Sequence, residues 1–531
     1  MARRPGFIVA AISLLAVLPV AQAQIYKVTL SGANEIPVVN TNGSGSAVIS
    51  LNAATHEMHV VVSFSGLVAG TTASHVHCCV VQPANAGVAT TTPTFAGTPL
   101  GVTSGSWDRI YDMTQAGSWN PAFITPNGNT PAGAEAAFMA GVAAGQSYLN
   151  VHSTFATGGE IRGFLVLNRF SANSALSTGG RNAAVALDTL GAGTGALNTL
   201  LVSMAALGTT PQAAALEMLT PTASRGVHTI VSEGLDTAFD RISDRLGGLR
   251  RAADDKGGAS SANGFWVMGS GADSRQGARD GFAGYKNSGW GAALGFDHGL
   301  APGRYVGASL NYTRSSLRFR DQSAGDTARV RNTQLAVYAS QDVGAGFLDA
   351  MASYGQQRYD GARNTGGGVA ASNYDGTTWG VRAGGGLRAA LSSNAAVTPQ
   401  LRIDHDNIRQ DAYVESGGGP LALSVQAKSA KRTRASLGAQ LDLGAGTVSP
   451  YLRGFWHHNF SNSGLDAASS FVSGGAAFTA PGQKPEREAW SVGAGLNFHA
   501  SGNFVGALTY DGTFSGSYQS HFYEAKAFWM F

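Results

Sequence analysis

The chain has 531 residues, 36 Lys and Arg against 33 Asp and Glu, and a formal net charge of +3. With 13% charged and 44% hydrophobic residues it is too apolar for a disordered polyelectrolyte, and it lacks the basic excess with which a nucleic-acid binder displaces counterions. Its 72 glycines follow no three-residue period, which excludes a collagen, and its two adjacent cysteines, Cys78 and Cys79, exclude a disulfide framework and a CxxC zinc site.

The chain opens with an export signal. Arg3 and Arg4 precede an apolar run from Phe7 to Val20, and Ala21-Gln22-Ala23 supplies a small-x-small cleavage site ahead of Gln24. The run of 14 residues falls short of the roughly 20 that a membrane helix needs. After residue 24 no stretch of 18 apolar residues occurs, so a membrane location has to rest on strands.

Residues 25–168 carry short alternating segments divided by Gly, Asn and Ser turns, which predicts an all-β sandwich. Two clusters stand out, Ala73-Ser-His75-Val-His77-Cys78-Cys79 and Tyr148-Leu-Asn150-Val-His152 followed by Gly159-Glu160-Ile161-Arg162. Residues two apart on a strand share a face, so His75 and His77 point the same way, and His152 on a second strand is placed to join them. Three imidazoles suit copper or zinc. The alternative is a buried, hydrogen-bonded trio that organises the sandwich together with Glu160 and Arg162, a structural pair expected to bond each other or a neighbouring strand. For Cys78 and Cys79 free thiols, a vicinal disulfide and a soft metal site all stay open, although successive strand residues point to opposite faces. The opening LSGANEIPVV, the central SHVHCC and the closing YLNVHSTFATGGEIRGFL together resemble the CHRD domain. That resemblance implies an exported β-domain and no defined activity.

Residues 169–262 read as a helical linker. Residues 183–218 are Ala/Leu-rich and predict one or two short helices. In 225–250, Val227, Ile230, Val231, Leu235, Phe239, Ile242, Leu246 and Leu249 keep a helical period while Asp236, Asp240, Arg241, Asp244 and Arg245 take other faces. Such a helix either packs in a small domain of its own or threads a barrel lumen.

From residue 263 onward the period is two. Twelve strands are predicted near 264–272, 287–297, 304–314, 330–341, 346–357, 374–390, 396–409, 427–442, 447–458, 487–498, 503–513 and 520–531. In 379–391 one face is Trp379, Val381, Ala383, Leu387, Ala389 and Leu391, and the other carries Arg382 and Arg388 among glycines. Apolar outside and polar inside is the pattern of a barrel in lipid, and closure removes the unsatisfied edges that hydrocarbon forbids. The alternation puts Leu437 against lipid, where an Arg is expected to be costly, and Ser436 toward the lumen, where an Arg is expected to be mild. Aromatic residues at strand ends, Trp266, Tyr285, Trp290, Tyr312, Tyr338, Tyr354, Trp379, Tyr451, Trp456, Trp490, Phe498 and Tyr510, are expected to form interfacial girdles. Export signal, exported domain, helix, twelve strands and the terminal aromatic Phe531 resemble a type V autotransporter over about residues 210–531. The resemblance implies a barrel in the outer membrane with the helix in its pore and a passenger outside. It also implies partners in membrane lipid, the barrel-assembly machinery and periplasmic chaperones, and it makes Phe531 the terminal insertion signal.

No GxSxG, HExxH, Walker or dinucleotide motif appears in a strand–turn–helix context, so no catalytic residue and no required cofactor is assigned. His405, His457 and His458 are expected to line the lumen or the interface. The reading is a mainly β protein made of a signal peptide (1–24), a CHRD-like β-sandwich passenger (25–168), a helical linker (169–262) and a 12-stranded transmembrane β-barrel (263–531). Its expected function is anchoring and display of the passenger at the cell surface. The alternatives are a surface metal-binding or redox protein using His75, His77 and His152, and an adhesin.

Overall fold

The computed structural model describes residues 23–191, 193–255, 263–444, 447–499 and 504–531; of the export signal expected in 1–24, all but Ala23 and Gln24 lies outside them, and Gln24 opens the first strand. The chain forms two compact units, one of residues up to Asn168 together with Gly191–Ala206, the other of Arg169–Leu190 together with Leu207–Phe531.

In the first unit, strands β1 (Gln24–Ser31), β2 (Ser44–Asn52), β3 (Glu57–Ser65), β4 (Thr71–Cys78), β5 (Gly105–Asp112), β6 (Ser147–Ser153), β7 (Ile161–Phe164) and β8 (Val166–Leu167) join in one antiparallel sheet. Its order is β4-β6-β7-β1-β2-β3-β5, with β8 beside β1. Both edge strands feed the same core: Val76 of β4 and Trp107 of β5 share a cluster with Leu30, Ile49, Val60, Leu149 and Ile161. The sheet therefore coils round one interior, and the helix Pro131–Ala143 adds Ala134, Phe138 and Val142 to it. That helix starts where Thr130 caps the N–H of Gly133 and Pro131 takes the first turn.

The linker expected over 169–262 is divided between the units. The short helix Gly195–Ala206 packs with the first unit, burying Leu197, Leu201, Val202, Met204 and Ala205. Its Asn198 meets His59 at 2.9 Å and Ser50 at 2.7 Å. The Ala/Leu-rich stretch holds three helices rather than one or two, Thr178–Leu190, Gly195–Ala206 and Thr209–Glu217, because turns at Gly191 and Gly208 interrupt a nearly uniform apolar composition.

The second unit is a closed barrel. Among the described residues its twelve strands are Gly264–Gln276, Tyr285–Ala301, Arg304–Phe319, Thr327–Val343, Gly346–Asn364, Val369–Leu387, Ala395–Gln410, Lys428–Leu443, Val448–Asn462, Glu488–His499, Phe504–Ser515 and Tyr518–Met530. Each pairs antiparallel with the next, and the last closes on the first from Tyr518 opposite Gln276 to Met530 opposite Gly264, so no ladder edge is left open. All twelve expected strands are present. Several run four to seven residues further at one end, as in Arg304–Phe319 and Gly346–Asn364, where the outward positions turn polar (Ser316, Arg318, Arg358, Asp360) while Leu317, Phe319 and Tyr359 stay buried inside, so the apolar-out pattern that marks lipid contact disappears.

The facing follows the pattern. Leu437, Trp490, Val492, Leu508 and Tyr523 are exposed on the outer surface, and Arg382, Ser436, Glu524 and Lys526 are buried inside. The girdle expectation is corrected at Trp266, Tyr285, Tyr338 and Tyr451, all buried in the lumen. Parity decides this: Phe265 and Val337, their outward neighbours, take the lipid face. No described helix is long and apolar enough to cross a membrane, which says nothing about strands.

Candidate functional site

Each unit carries one candidate site. In the barrel the helix Val227–Asp255 runs through the lumen. Its apolar stripe, Leu235, Phe239, Ile242, Leu246 and Leu249, packs on Tyr305, Ala336, Tyr338 and Met351 of the wall. Of the two placements left open by the sequence, the lumen is the one observed.

The polar faces of the helix are matched to the wall charge by charge. Asp236, Asp240 and Asp244, four residues apart, form an acidic stripe. Asp236 accepts from Arg432 at 2.7 and 2.9 Å and from Arg434 at 2.8 Å; Asp240 accepts from Arg382 at 2.6 Å and Arg402 at 3.0 Å; Asp244 pairs with Arg453 and Lys526. The basic stripe reaches the other wall, Arg241 bonding Glu524 at 2.5 Å and Ser270 at 2.6 Å, and Arg245 bonding Asp297 at 2.5 Å. The acid spacing on the helix was legible, but the arginine wall (Arg382, Arg402, Arg432, Arg434 and Arg453) was not. Its members come from four strands, and the signal available was an Arg on a lumen-parity position of each.

The helix has a direction. Toward its C-terminal end Arg250 bonds Ser340 at 2.7 Å and pairs with Asp349, while Arg251 reaches Asp442 at 3.3 Å. These lie near the short turn at Val343–Gly346 and the end of the strand Lys428–Leu443. At its N-terminal end Arg225 bonds Asp326 at 2.5 Å and Ser224 accepts from the Gln483 N–H at 2.8 Å. Both partners belong to the long connections after Phe319 and Asn462, and two of the long connections fold into a small sheet of Tyr413–Val414, Leu423–Val425, Ala467–Phe471 and Gly474–Ala480. Short turns face the periplasm and long loops the outside in bacterial barrels, so the chain ahead of the helix leaves on the outer side. His457 lines the lumen between Ser436 and Ser491, at 2.7 and 2.9 Å. His405, against Trp379, and His458, against Trp456, sit on the outer side.

In the first unit the sheet register brings the three expected histidines together. His75 stands opposite Asn150, His77 opposite Tyr148 and Ala73 opposite His152. Alternation sends Val76, Cys78, Leu149 and Val151 into the core. His75, His77, Tyr148, Asn150 and His152 therefore share the other face, with Arg162 of β7 opposite Asn150. That face is covered: the three histidines are 6%, 7% and 8% exposed. One nitrogen from each ring lies within 4.8 Å of the others, and His75 Nδ1 is 3.3 Å from His152 Nε2. The outer nitrogens meet backbone carbonyls, His75 Nε2 at Pro93 (2.5 Å), His77 Nδ1 at Ala86 (2.9 Å) and His152 Nδ1 at Thr157 (3.0 Å). Tyr148 stacks on His77 with centroids 4.8 Å apart, and Arg162 lies over the Tyr148 ring at 4.6 Å. Burial holds all three imidazoles below their usual range, His77 at about 4.

Glu160 and Arg162 are buried, as expected, but take separate partners. Glu160 accepts from Val68 N–H at 2.7 Å, Thr41 at 2.6 Å and Ser153 at 2.5 Å. Arg162 donates to Asn34 O, Asn85 Oδ1 and Pro83 O and faces the Glu35 carboxylate at 3.8 Å. Glu35, absent from the sequence reading, is fixed by the loop after β1 and carried no local signal. Cys78 and Cys79 are joined as a disulfide. β4 ends at Cys78, so strict alternation no longer separates the two side chains, and both sulfurs pack on the helix at Gly141, where any Cβ would overlap them.

The Glu35 carboxyl is pushed up to about 7 by burial, against the pull of Arg162 and Asn150. The unfolded chain releases this proton near 4.5, so the folded domain binds more protons between those values and loses stability as pH rises through them. The loss is about 3 kcal/mol in all, opposite in sign to the buried histidines, whose contribution is lost as pH falls. Glu35→Gln is expected to remove the Glu35 part of the slope. Pulse proteolysis of the first unit in the full chain across this range reads it, and identical slopes for the two proteins would show a carboxylate ionised throughout.

Residues 265–511 match the family model of the autotransporter β-domain and residues 26–165 that of the CHRD domain. Outer membrane protein B of Rickettsia japonica is 25% identical over 335 residues, covering 55% of this chain and 20% of its own. The Rickettsia conorii protein of the same name is 25% identical over 292 residues, covering 51% and 17%. The chain thus spans about a fifth of the length of these relatives. Among solved structures, the translocator domain of autotransporter NalP from Neisseria meningitidis superposes with a TM-score of 0.45 at 17% identity, over 56% of this chain and 98% of that one. The β-domain of the Bordetella autotransporter BrkA gives 0.39 at 20%, over 51% and 100%.

Proposed function

From a chain that carries a CHRD domain ahead of an outer-membrane autotransporter β-domain, we infer that the barrel anchors the CHRD domain and presents it at the cell surface. The barrel wall meets membrane lipid with its apolar face. The observation that carries the display reading is the direction of the lumen helix, whose N-terminal end emerges among the long loops and whose C-terminal end reaches the short turns. A chain held this way passes from the periplasmic side up through the pore, so what precedes the helix stands outside. Insertion would draw on periplasmic chaperones and the barrel-assembly machinery. The barrel does no covalent chemistry in this scheme; apolar burial in lipid and a complete hydrogen-bond ladder hold it.

Protease added to intact cells is expected to remove residues of the first unit and leave a protected, heat-modifiable fragment that holds the lumen helix and the barrel, from about Val227 to Phe531. A first unit that stays intact until the outer membrane is permeabilised would overturn surface display.

A further inference from the structure

We propose that the CHRD domain binds one transition-metal ion, copper or zinc, between His75 Nδ1, His77 Nε2 and His152 Nε2. The inference stands apart from surface display and rests on a count of protons. A neutral imidazole has one N–H. A backbone carbonyl has none, so each ring nitrogen that meets a carbonyl must be the donor. His75 gives its proton from Nε2 to Pro93, His77 from Nδ1 to Ala86, and His152 from Nδ1 to Thr157. The three remaining nitrogens are left with lone pairs. Two of them, His75 Nδ1 and His152 Nε2, face each other at 3.3 Å with no proton available to bridge them, and the third, His77 Nε2, is buried without any partner.

Such an arrangement is unfavourable empty and favourable around a cation. Ligand nitrogens bonded to zinc at about 2.0–2.1 Å in a tetrahedral set stand roughly 3.3–3.4 Å apart, the separation the His75–His152 pair already has. The carbonyls do the work of outer-shell partners: they fix the tautomer and the ring orientation that turn each lone pair inward. The same face has further unsatisfied acceptors. Asn150 Oδ1 and Glu35 Oε1 are buried with no donor, while the hydrogen bonds of Arg162 go to Asn34, Asn85 and Pro83. The three leftover ring nitrogens all present lone pairs to one another, so what they lack is an electron-pair acceptor among them.

The donor set selects the ion. Three neutral imidazoles favour copper and zinc, whereas calcium and magnesium require oxygen. Thiolate is excluded because Cys78 and Cys79 are bonded to each other and Cys78 packs in the core. Three protein ligands leave one coordination position for water or an external ligand.

The test uses the full chain, purified in detergent, stripped with a chelator and offered zinc, copper or cobalt(II) singly. One equivalent retained through gel filtration is expected. His77→Ala and His152→Ala should each weaken binding by more than the roughly 10–100-fold that loss of an outer-shell partner costs, and His458→Ala on the barrel should change nothing. Cobalt(II) in the unaltered protein should show tetrahedral d–d bands with no thiolate charge transfer, and X-ray absorption of the zinc form should show imidazole scatterers. These two spectra read the ligand set without any variant, so a His77→Ala chain that misfolds does not blunt the test. Absence of stoichiometric metal, full retention in His77→Ala, or a ligand set without imidazole would each overturn the proposal.

Discussion

Asp236→Ala is expected to cost the barrel about 3 kcal/mol, seen as a marked fall in the temperature at which the compact form unfolds in SDS. The carboxylate is 15% exposed and accepts three hydrogen bonds from two guanidinium groups, Arg432 and Arg434, themselves 9% and 12% exposed. Deleting one partner of a buried ion pair costs about 3–5 kcal/mol, because the desolvated charge left behind has lost its counterion. Two features place the value at the low end. Arg432 keeps Asp406 at 2.7 Å and Arg434 keeps Asp404 at 3.0 Å, and the lumen beside the helix holds space lined by Asp236, Asp240, Arg402 and Arg453 that water can enter. Thr237→Ala, one residue on and uncharged, is the control, expected within about 0.5 kcal/mol. Planar-bilayer recording gives a second readout: with the acidic stripe broken, the helix should leave the pore more often and conductance should rise. Unchanged melting and unchanged conductance would mean that the apolar stripe from Leu235 to Leu249 seats the helix unaided.

What the sequence disclosed depended on whether a signal was local. Barrel facing was legible because lipid and lumen impose opposite chemistry on alternate residues, so Leu437 and Ser436 declare themselves side by side. Strand ends were not, since beyond the lipid band the outward positions turn polar, as at Arg329, Arg331 and Asp360, while Val330 and Tyr359 stay buried in the lumen. At Trp266 and Tyr338 strand parity, which turns both into the lumen, overrides the interfacial preference of the residue type. In the CHRD domain, i and i+2 spacing placed His75 and His77 on one face, and β6 brought His152 to it. The carbonyls of Pro93, Ala86 and Thr157, which decide the tautomers, carry no side-chain signature and come from loops. Spacing left Glu160 and Arg162 to bond each other or a neighbouring strand; Glu35, 127 residues before Arg162 in the chain, became the ionic neighbour of Arg162 through the fold. The helix Gly195–Ala206 went to the first unit because Asn198 satisfies the buried His59 there, a pairing across 139 residues that no window could register.

Leu437→Arg is expected to destabilise the inserted barrel by about 2–4 kcal/mol, the cost of an arginine at the bilayer midplane. The outward row of its strand runs Thr433, Ala435, Leu437, Ala439, Leu441 and Leu443, about the length that a tilted strand needs to cross the hydrocarbon, and Leu437 lies near its middle. It is 56% exposed and stands between Leu401 and Trp456 on the neighbouring strands, so the new guanidinium would meet acyl chains on every side it could turn. Ser436→Arg does not serve as the mild comparison that alternation alone suggests. Ser436 is 1% exposed, bonds His457 at 2.7 Å and stands in register with Arg402; an arginine there would crowd a wall that is already cationic. Gln440→Glu is the appropriate control: same strand, same lumen face as Ser436, in register with Arg453, with an added charge of the sign that guanidinium attracts. It should stay within about 0.5 kcal/mol. Urea titration of the two variants folded into lipid vesicles reads the difference. Equal losses at positions 437 and 440 would mean that the two faces see the same solvent, and the barrel would then have to be taken out of the membrane.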